Sequence, residues 1–155
     1  MILLGAAYGY LVYRRAAVRS LQLVRALADD LPVLQCRVCV QRSPLPVILT
    51  EDLGGGISGA CLWRPLARRL AQGQDSLACC WEQTVDGLPL PVAQRLAPLG
   101  KLLSVGGDTL AEAIEEVHSG LLQLAREQEE RQRIRLRLSA AVSFSAAALL
   151  ILVFV

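Results

Sequence analysis

The sequence predicts an all-α protein: a compact bundle of about six helices, flanked by an N-terminal and a C-terminal membrane segment, with the last helix long and continuous with the C-terminal span. Three observations predict it. Apolar residues recur at steps of three and four through the middle of the chain, the period of one helix face. Leu, Ala, Arg, Gln and Glu dominate there, and few β-branched residues alternate. The charges, 16 basic and 14 acidic in 155 residues, all fall between Arg14 and Arg137. A simple soluble enzyme does not keep two apolar, uncharged ends, because exposed patches of that size aggregate. A chain that is 54% hydrophobic is not intrinsically disordered either. The length argues for one folded domain.

The first segment, Met1–Tyr13, is uncharged and ~20 Å long as a helix, short for a span. Three accounts compete: a helix that continues to Val18 with Arg14 and Arg15 snorkelling to the headgroups, a start codon placed too late, or a signal peptide. A basic leader and a convincing cleavage site are missing, which favours a retained anchor over residues 1–18. Tyr8, Tyr10 and Tyr13 suit an interface.

The bundle is expected over residues 19–125. A first helix is expected from about Arg15 to Val40, with Leu21, Val24, Leu27, Leu31, Leu34 and Val38 on one face and a kink or break near Asp30–Leu31, ahead of Pro32. Ser43 as N-cap and Pro44 at the first helical position open a short helix ending near Leu53. Gly54-Gly55-Gly56 reads as a loop. A third helix covers about Ala60–Gln72 and stops at Gly73, and Asp75-Ser76 starts a fourth over Ser76–Val85. Pro91 opens a fifth, to about Leu103. Gly106-Gly107-Asp108 closes the fifth and caps the last.

The last helix is expected to be continuous from about Thr109 to the C-terminus. Leu110, Ile114, Val117, Leu121 and Leu124 form a heptad-like stripe. In that register Gln128 and Arg131 come next, so the stripe ends, and residues 126–137 read as a charged stalk, free of the bundle. Glu127–Arg131 and Glu129–Arg133 are expected as ion pairs along it. The tail 138–155, LSAAVSFSAAALLILVFV, has no charge, Gly or Pro, and at ~27 Å matches the hydrocarbon thickness of a bilayer.

Arg14, Arg15, Arg19 and Arg25 follow the first segment, and Arg131, Arg133, Arg135 and Arg137 precede the second. The positive-inside tendency therefore places the bundle in the cytoplasm and both termini outside. The five cysteines, an odd number, imply no paired extracellular framework. A net charge of +2 without a basic stripe among stacking aromatics argues against a nucleic-acid partner.

Few residues suggest chemistry. Cys36 and Cys39 have the spacing of half a zinc site, but Cys79 and Cys80 lack the matching gap, and His118 is the only histidine. The segment Gly56-Ile57-Ser58-Gly59-Ala60 lacks the second glycine of a nucleophile elbow, and no lysine follows the triple glycine as a phosphate loop requires. Glu112, Glu115 and Glu116 fit the solvated face of a helix. No catalytic residue, metal ligand or cofactor site is expected, and the chain reads as a non-enzyme. Gly5 and Gly9, with Ser139, Ser143 and Ala147, place small residues one helical turn apart in the two end segments. Such faces allow close helix contact within the chain, with partners or in a homo-oligomer; small-residue filler is the equal alternative.

The chain resembles the stage III sporulation protein AB family of spore-forming Firmicutes, itself distantly similar to the F protein of type II secretion systems. Four places carry the resemblance. The helix Val24–Leu31 runs into Ser43-Pro44-Leu45, where the family has a Leu-rich helix and a Thr-Pro-Leu turn. Cys80-Trp81-Glu82-Gln83 matches a small residue, Trp and polar run. Leu99-Gly100-Lys101-Leu102-Leu103 before Asp108 is similar to a Leu-Gly-x-x-Leu-Gly segment with a following Asp. The fourth is the long polar helix with its hydrophobic tail. Ser104 departs from the second glycine of the third motif, Asp108 sits one place late, Glu112 stands where the family has glutamine, and Pro32 is unusual. The resemblance implies a component of the channel between mother cell and forespore, lying in the mother-cell membrane. Its cytoplasmic bundle would meet a secretion-type sporulation ATPase and other channel proteins, with Pro44, Leu45, Trp81, Gly100 and Asp108 in structural roles. The alternative is a membrane-tethered helical adaptor or regulator of another membrane assembly.

Overall fold

The computed structural model describes the backbone of residues 2–73, 75–105 and 108–154, and the side chains of residues 15–73, 75–104, 108–135 and 137–138. Among them there is no strand, and the protein is all-α. Eight α-helical segments follow one another: α1 (Ile2–Gln35), α2 (Leu45–Val47), α3 (Gly56–Ser58), α4 (Arg64–Gln72), α5 (Leu77–Val85), α6 (Leu90–Leu96), α7 (Leu99–Val105) and α8 (Asp108–Phe154).

Helix α1 runs unbroken through Pro32, so the expected kink or break near Asp30–Leu31 does not occur. A helix-interior proline costs about 3 kcal/mol through its lost N–H and its ring. Here Leu31 and Leu34 on either side of it are both fully buried, and their packing holds the helical path while Pro32 itself faces solvent. The backbone changes only afterwards. Over Cys36–Val40 it widens into a π turn, with the Gln41 amide donating five residues back to Cys36 O at 3.0 Å.

Two more π turns follow, Ile48–Asp52 directly after α2 and Gly59–Trp63 between α3 and α4. The last precedes Pro65, which has no N–H for the carbonyl of Cys61 and whose ring crowds it, so a wider turn there relieves the clash. Helices α3 and α4 thus form one rod from Gly56 to Gln72, earlier in its start than Ala60. Pro44, with extended ψ of 130°, is the N-cap of α2, and Ser43 makes no side-chain cap as had been expected of it. Gly73 ends α4 in the left-handed conformation, φ 65° and ψ 14°, which glycine adopts without a side-chain clash.

Ser76 is the N-cap of α5, its hydroxyl accepting from the Cys79 amide at 3.3 Å. Ser76→Ala should lower stability by about 0.5–2 kcal/mol, read as a shift of the urea midpoint at constant slope. The single fifth helix expected to Leu103 is two, α6 and α7, divided at Ala97–Pro98. Pro98 has no N–H for the carbonyl of Gln94 and its ring crowds that carbonyl, so the helical ladder is interrupted there although Ala97 itself keeps helical angles, φ −50° and ψ −43°.

One core joins these elements. Val24, Leu27, Ala28, Leu31 and Leu34 of α1 meet Leu110, Ile114, Val117, Leu121 and Ala125 of α8, with Leu62, Trp63, Leu66, Trp81, Val92, Leu96 and Leu99 closing the other side. The buried register of α8 passes through Ala125, while Leu124 is half-buried. Helices α1 and α8 are antiparallel and are the principal pair in the fold.

The helix Asp108–Phe154 is continuous over 47 residues, as its uninterrupted sequence implies. Its charged section is not a free stalk, however. Glu129 pairs with Arg25 of α1, and Ala17 of α1 lines a cleft together with Gln128, Arg131, Gln132 and Arg135. Glu129 therefore meets Arg25 across the helix pair and, among the described residues, not Arg133 along α8; Glu127 accepts from Gln123 Nε2 at 3.2 Å. No helix among the described residues is long and apolar enough to cross a membrane. The expected membrane segments 1–18 and 138–155 fall almost wholly outside the residues whose side chains are described.

Candidate functional site

The residues singled out by the third and second motifs come together. Trp81 of α5 is fully buried, and its indole Nε1 donates to the Leu96 carbonyl at 3.0 Å, at the end of α6. That carbonyl lies at the break before Pro98, where helical partners run out, so the indole supplies a donor the backbone lacks. Gly100 of α7 lies against the same ring: a Cβ built there would stand 2.5 Å from Trp81 Cδ1. Trp81 and Gly100 are thus one packing unit that docks α7 on α5.

Trp63, which the motifs do not include, completes this centre. Its ring lies 6.2 Å from that of Trp81 at 49°, a tilted aromatic pair. Its Nε1 donates at 2.6 Å to Asp30 Oδ2 on α1, so one indole ties the π turn Gly59–Trp63 to the first helix. The sequence signal for this partnership, an acid at the edge of an apolar helix face, was too general to pick out Asp30. Pro44 and Leu45 start α2, with Leu45 half-buried against the core, and Asp108 lies exposed in the first turn of α8, where a negative charge suits the helix dipole.

The thiols are dispersed: Cys36 and Cys61 exposed, Cys39 and Cys79 half-buried, Cys80 buried. Among the described residues no group of three or more His, Cys, Asp or Glu side chains could hold a metal ion. Gln83 Nε2 donates to Cys79 Sγ at 3.2 Å, and Cys80 Sγ donates to Asp75 O at 3.9 Å. Gly5, Gly9, Ser139, Ser143 and Ala147 lie outside the residues whose side chains are described.

Two surface features are not explained by packing alone. At the far end of α1, where the chain turns towards α2, Val33, Val40 and Val47 are 40%, 76% and 42% exposed. Arg37 bridges this turn, donating to Asp52 Oδ1 at 2.9 Å and to Gln41 Oε1 at 2.6 Å. Toward the other end, α1 and α8 leave a cleft of about 160 Å³ lined by Ala17, Gln128, Arg131, Gln132 and Arg135. The Gln128 Oε1 atom is buried without a hydrogen-bond partner.

No known protein family, curated protein or solved structure matches this chain.

Proposed function

We propose that the chain is a non-enzymatic membrane component whose helical bundle is a docking platform on the cytoplasmic side. Following the resemblance set out above, its setting is the channel between mother cell and forespore, in the mother-cell membrane with both termini outside, and its partner is a secretion-type ATPase. The observation that carries this reading is the antiparallel pairing of α1 and α8. Two helices so paired leave the bundle at one end, and each continues into an uncharged run, 1–13 and 138–155. A membrane holding both runs would present the opposite end of the bundle to the cytoplasm. That end carries the exposed Val33, Val40 and Val47, apolar side chains of the kind that mark a protein contact when they cluster.

The test is affinity capture of the tagged full chain from membranes of sporulating cells. A secretion-type ATPase should co-purify, and the triple variant Val33→Ser, Val40→Ser, Val47→Ser should lose it while remaining in the membrane. Recovery of the chain from those membranes without any such ATPase would overturn the reading. Capture of a transporter or kinase assembly instead would support the adaptor alternative.

A further inference from the structure

After the π turn Cys36–Val40 the chain reverses on Gln41 and Arg42. Backbone bonds close this helix end: the Gln41 amide donates to Cys36 O and the Ser43 amide to Arg37 O, both at 3.0 Å. Such an ending puts the residue after the cap into the left-handed region, and Arg42 has φ 51°. Glycine holds that conformation without a Cβ clash, as Gly73 does at the end of α4 with φ 65°. Among the described residues Arg42 is the one non-glycine residue with positive φ. The fold by itself therefore favours glycine at 42, and arginine there strains the backbone. No contact of the side chain offsets that strain. Arg42 is exposed, and among the described residues its guanidinium makes no hydrogen bond or ion pair. The acceptors of the turn, Gln41 Oε1 and Asp52 Oδ1, are both engaged by Arg37.

A strained residue that the fold does not need points to a use outside the fold. Arg42 lies two residues after Val40 and five before Val47, which are 76% and 42% exposed. One arginine among exposed apolar side chains is the composition of a protein contact; a polyanion would need several cations along its path. The planar guanidinium fork matches a carboxylate, and arginine is among the residues that anchor such contacts. We propose that Arg42 determines the specificity of the docking surface at this end of the bundle, by pairing with an aspartate or glutamate side chain set between apolar residues of the partner. Val40 and Val47 supply the apolar surround that keeps water from the pair. The proposal rests on the docking reading given above and adds to it the chemistry of the partner's segment.

The experiment compares the tagged full chain with three variants, by capture of the secretion-type ATPase from membranes of sporulating cells and by urea unfolding of the purified full-length proteins. Arg42→Ala and Arg42→Gly should each capture about tenfold less ATPase than the wild type, and Arg42→Glu less than either. In urea, Arg42→Gly should raise the folded-to-unfolded ratio about two- to fivefold, while Arg42→Ala, which keeps the Cβ, should stay close to the wild type. Capture lost while stability is gained is a combination that a structural role for Arg42 does not produce. Equal capture by the wild type and Arg42→Ala overturns the proposal and leaves the docking reading standing. Capture by Arg42→Glu at or above that of Arg42→Ala overturns the carboxylate as the partner group. An Arg42→Gly protein less stable than the wild type overturns the argument from strain, and the arginine then serves the fold. Capture of a second, differently tagged copy of the chain in place of the ATPase, lost in Arg42→Ala, overturns the partner in favour of self-association. A wild type that captures no ATPase overturns the docking reading and the proposal together.

Discussion

Trp81→Ala is expected to lower the stability of the bundle by about 3–5 kcal/mol, the range for removing a fully buried aromatic side chain. Trp81 has no solvent exposure, contacts Trp63 and Gly100, and its indole N–H is the donor to the Leu96 carbonyl. Truncation therefore opens a cavity and strips a hydrogen bond from a buried helix end. Gly100→Ala attacks the same contact from the other side. Its new methyl carbon would stand 2.5 Å from Trp81 Cδ1 and 2.9 Å from Cγ, so the ring or α7 must shift, at about 1–3 kcal/mol. The two changes should not add. With the ring gone, the methyl group enters the vacated space, and Gly100→Ala in the Trp81→Ala background should cost close to nothing. Urea unfolding of the four purified full-length proteins measures the cycle, with Trp63 as the remaining fluorophore. Strict additivity would show that Gly100 is not there for the ring.

Gly59→Ala should be the most damaging single-methyl change in the first half of the bundle, about 3 kcal/mol or somewhat more. In a helix interior alanine is ordinarily better than glycine by ~1 kcal/mol, so the sign is set by the surroundings. At Gly59 a Cβ would meet the Gly54 carbonyl carbon and oxygen at 2.5 Å and the Leu53 oxygen at 2.9 Å. These are backbone atoms, and Arg64 Nε holds the same Gly54 oxygen at 2.6 Å, so they cannot swing aside as a side chain would. Gly55→Ala is the control. Nothing lies within 4 Å of its Cβ and its φ is −84°, so its stability should stay within ~0.5 kcal/mol of the wild type. A Gly59→Ala protein as stable as the control would mean that the 53–59 turn opens at little cost.

The helices themselves were legible because their signals are local. The three-and-four spacing located the buried faces of α1 and α8, Ser76 marked the start of α5, and Gly73 the stop of α4. The failures are tertiary. Pro32 broke nothing because Leu31 and Leu34 are pinned in the core, which a propensity scale does not register. The triple glycine reads as slack chain, yet the decisive residue is Gly59, whose constraint comes from Gly54 folding back onto it. Trp63 and Asp30 are 33 residues apart and their contact has no sequence signature. The charged part of α8 looked free because its stripe loses apolar residues after Ala125. In the structure α1 stays alongside it, with Arg25 paired to Glu129 and Ala17 lining the same cleft.

The unbroken run of α1 past Pro32 also has a mechanical side. Ile2 to Gln35 is a single rod of 34 residues, about 50 Å at 1.5 Å per residue, and a tilt of ~10° at one end swings the other by roughly 9 Å. With no hinge inside the rod, such a swing passes undiminished to the π turn at Cys36–Val40, where the regular helix gives way. Pro32 thus puts no hinge into the rod, and the first interruption of the regular helix is the π turn at Cys36–Val40.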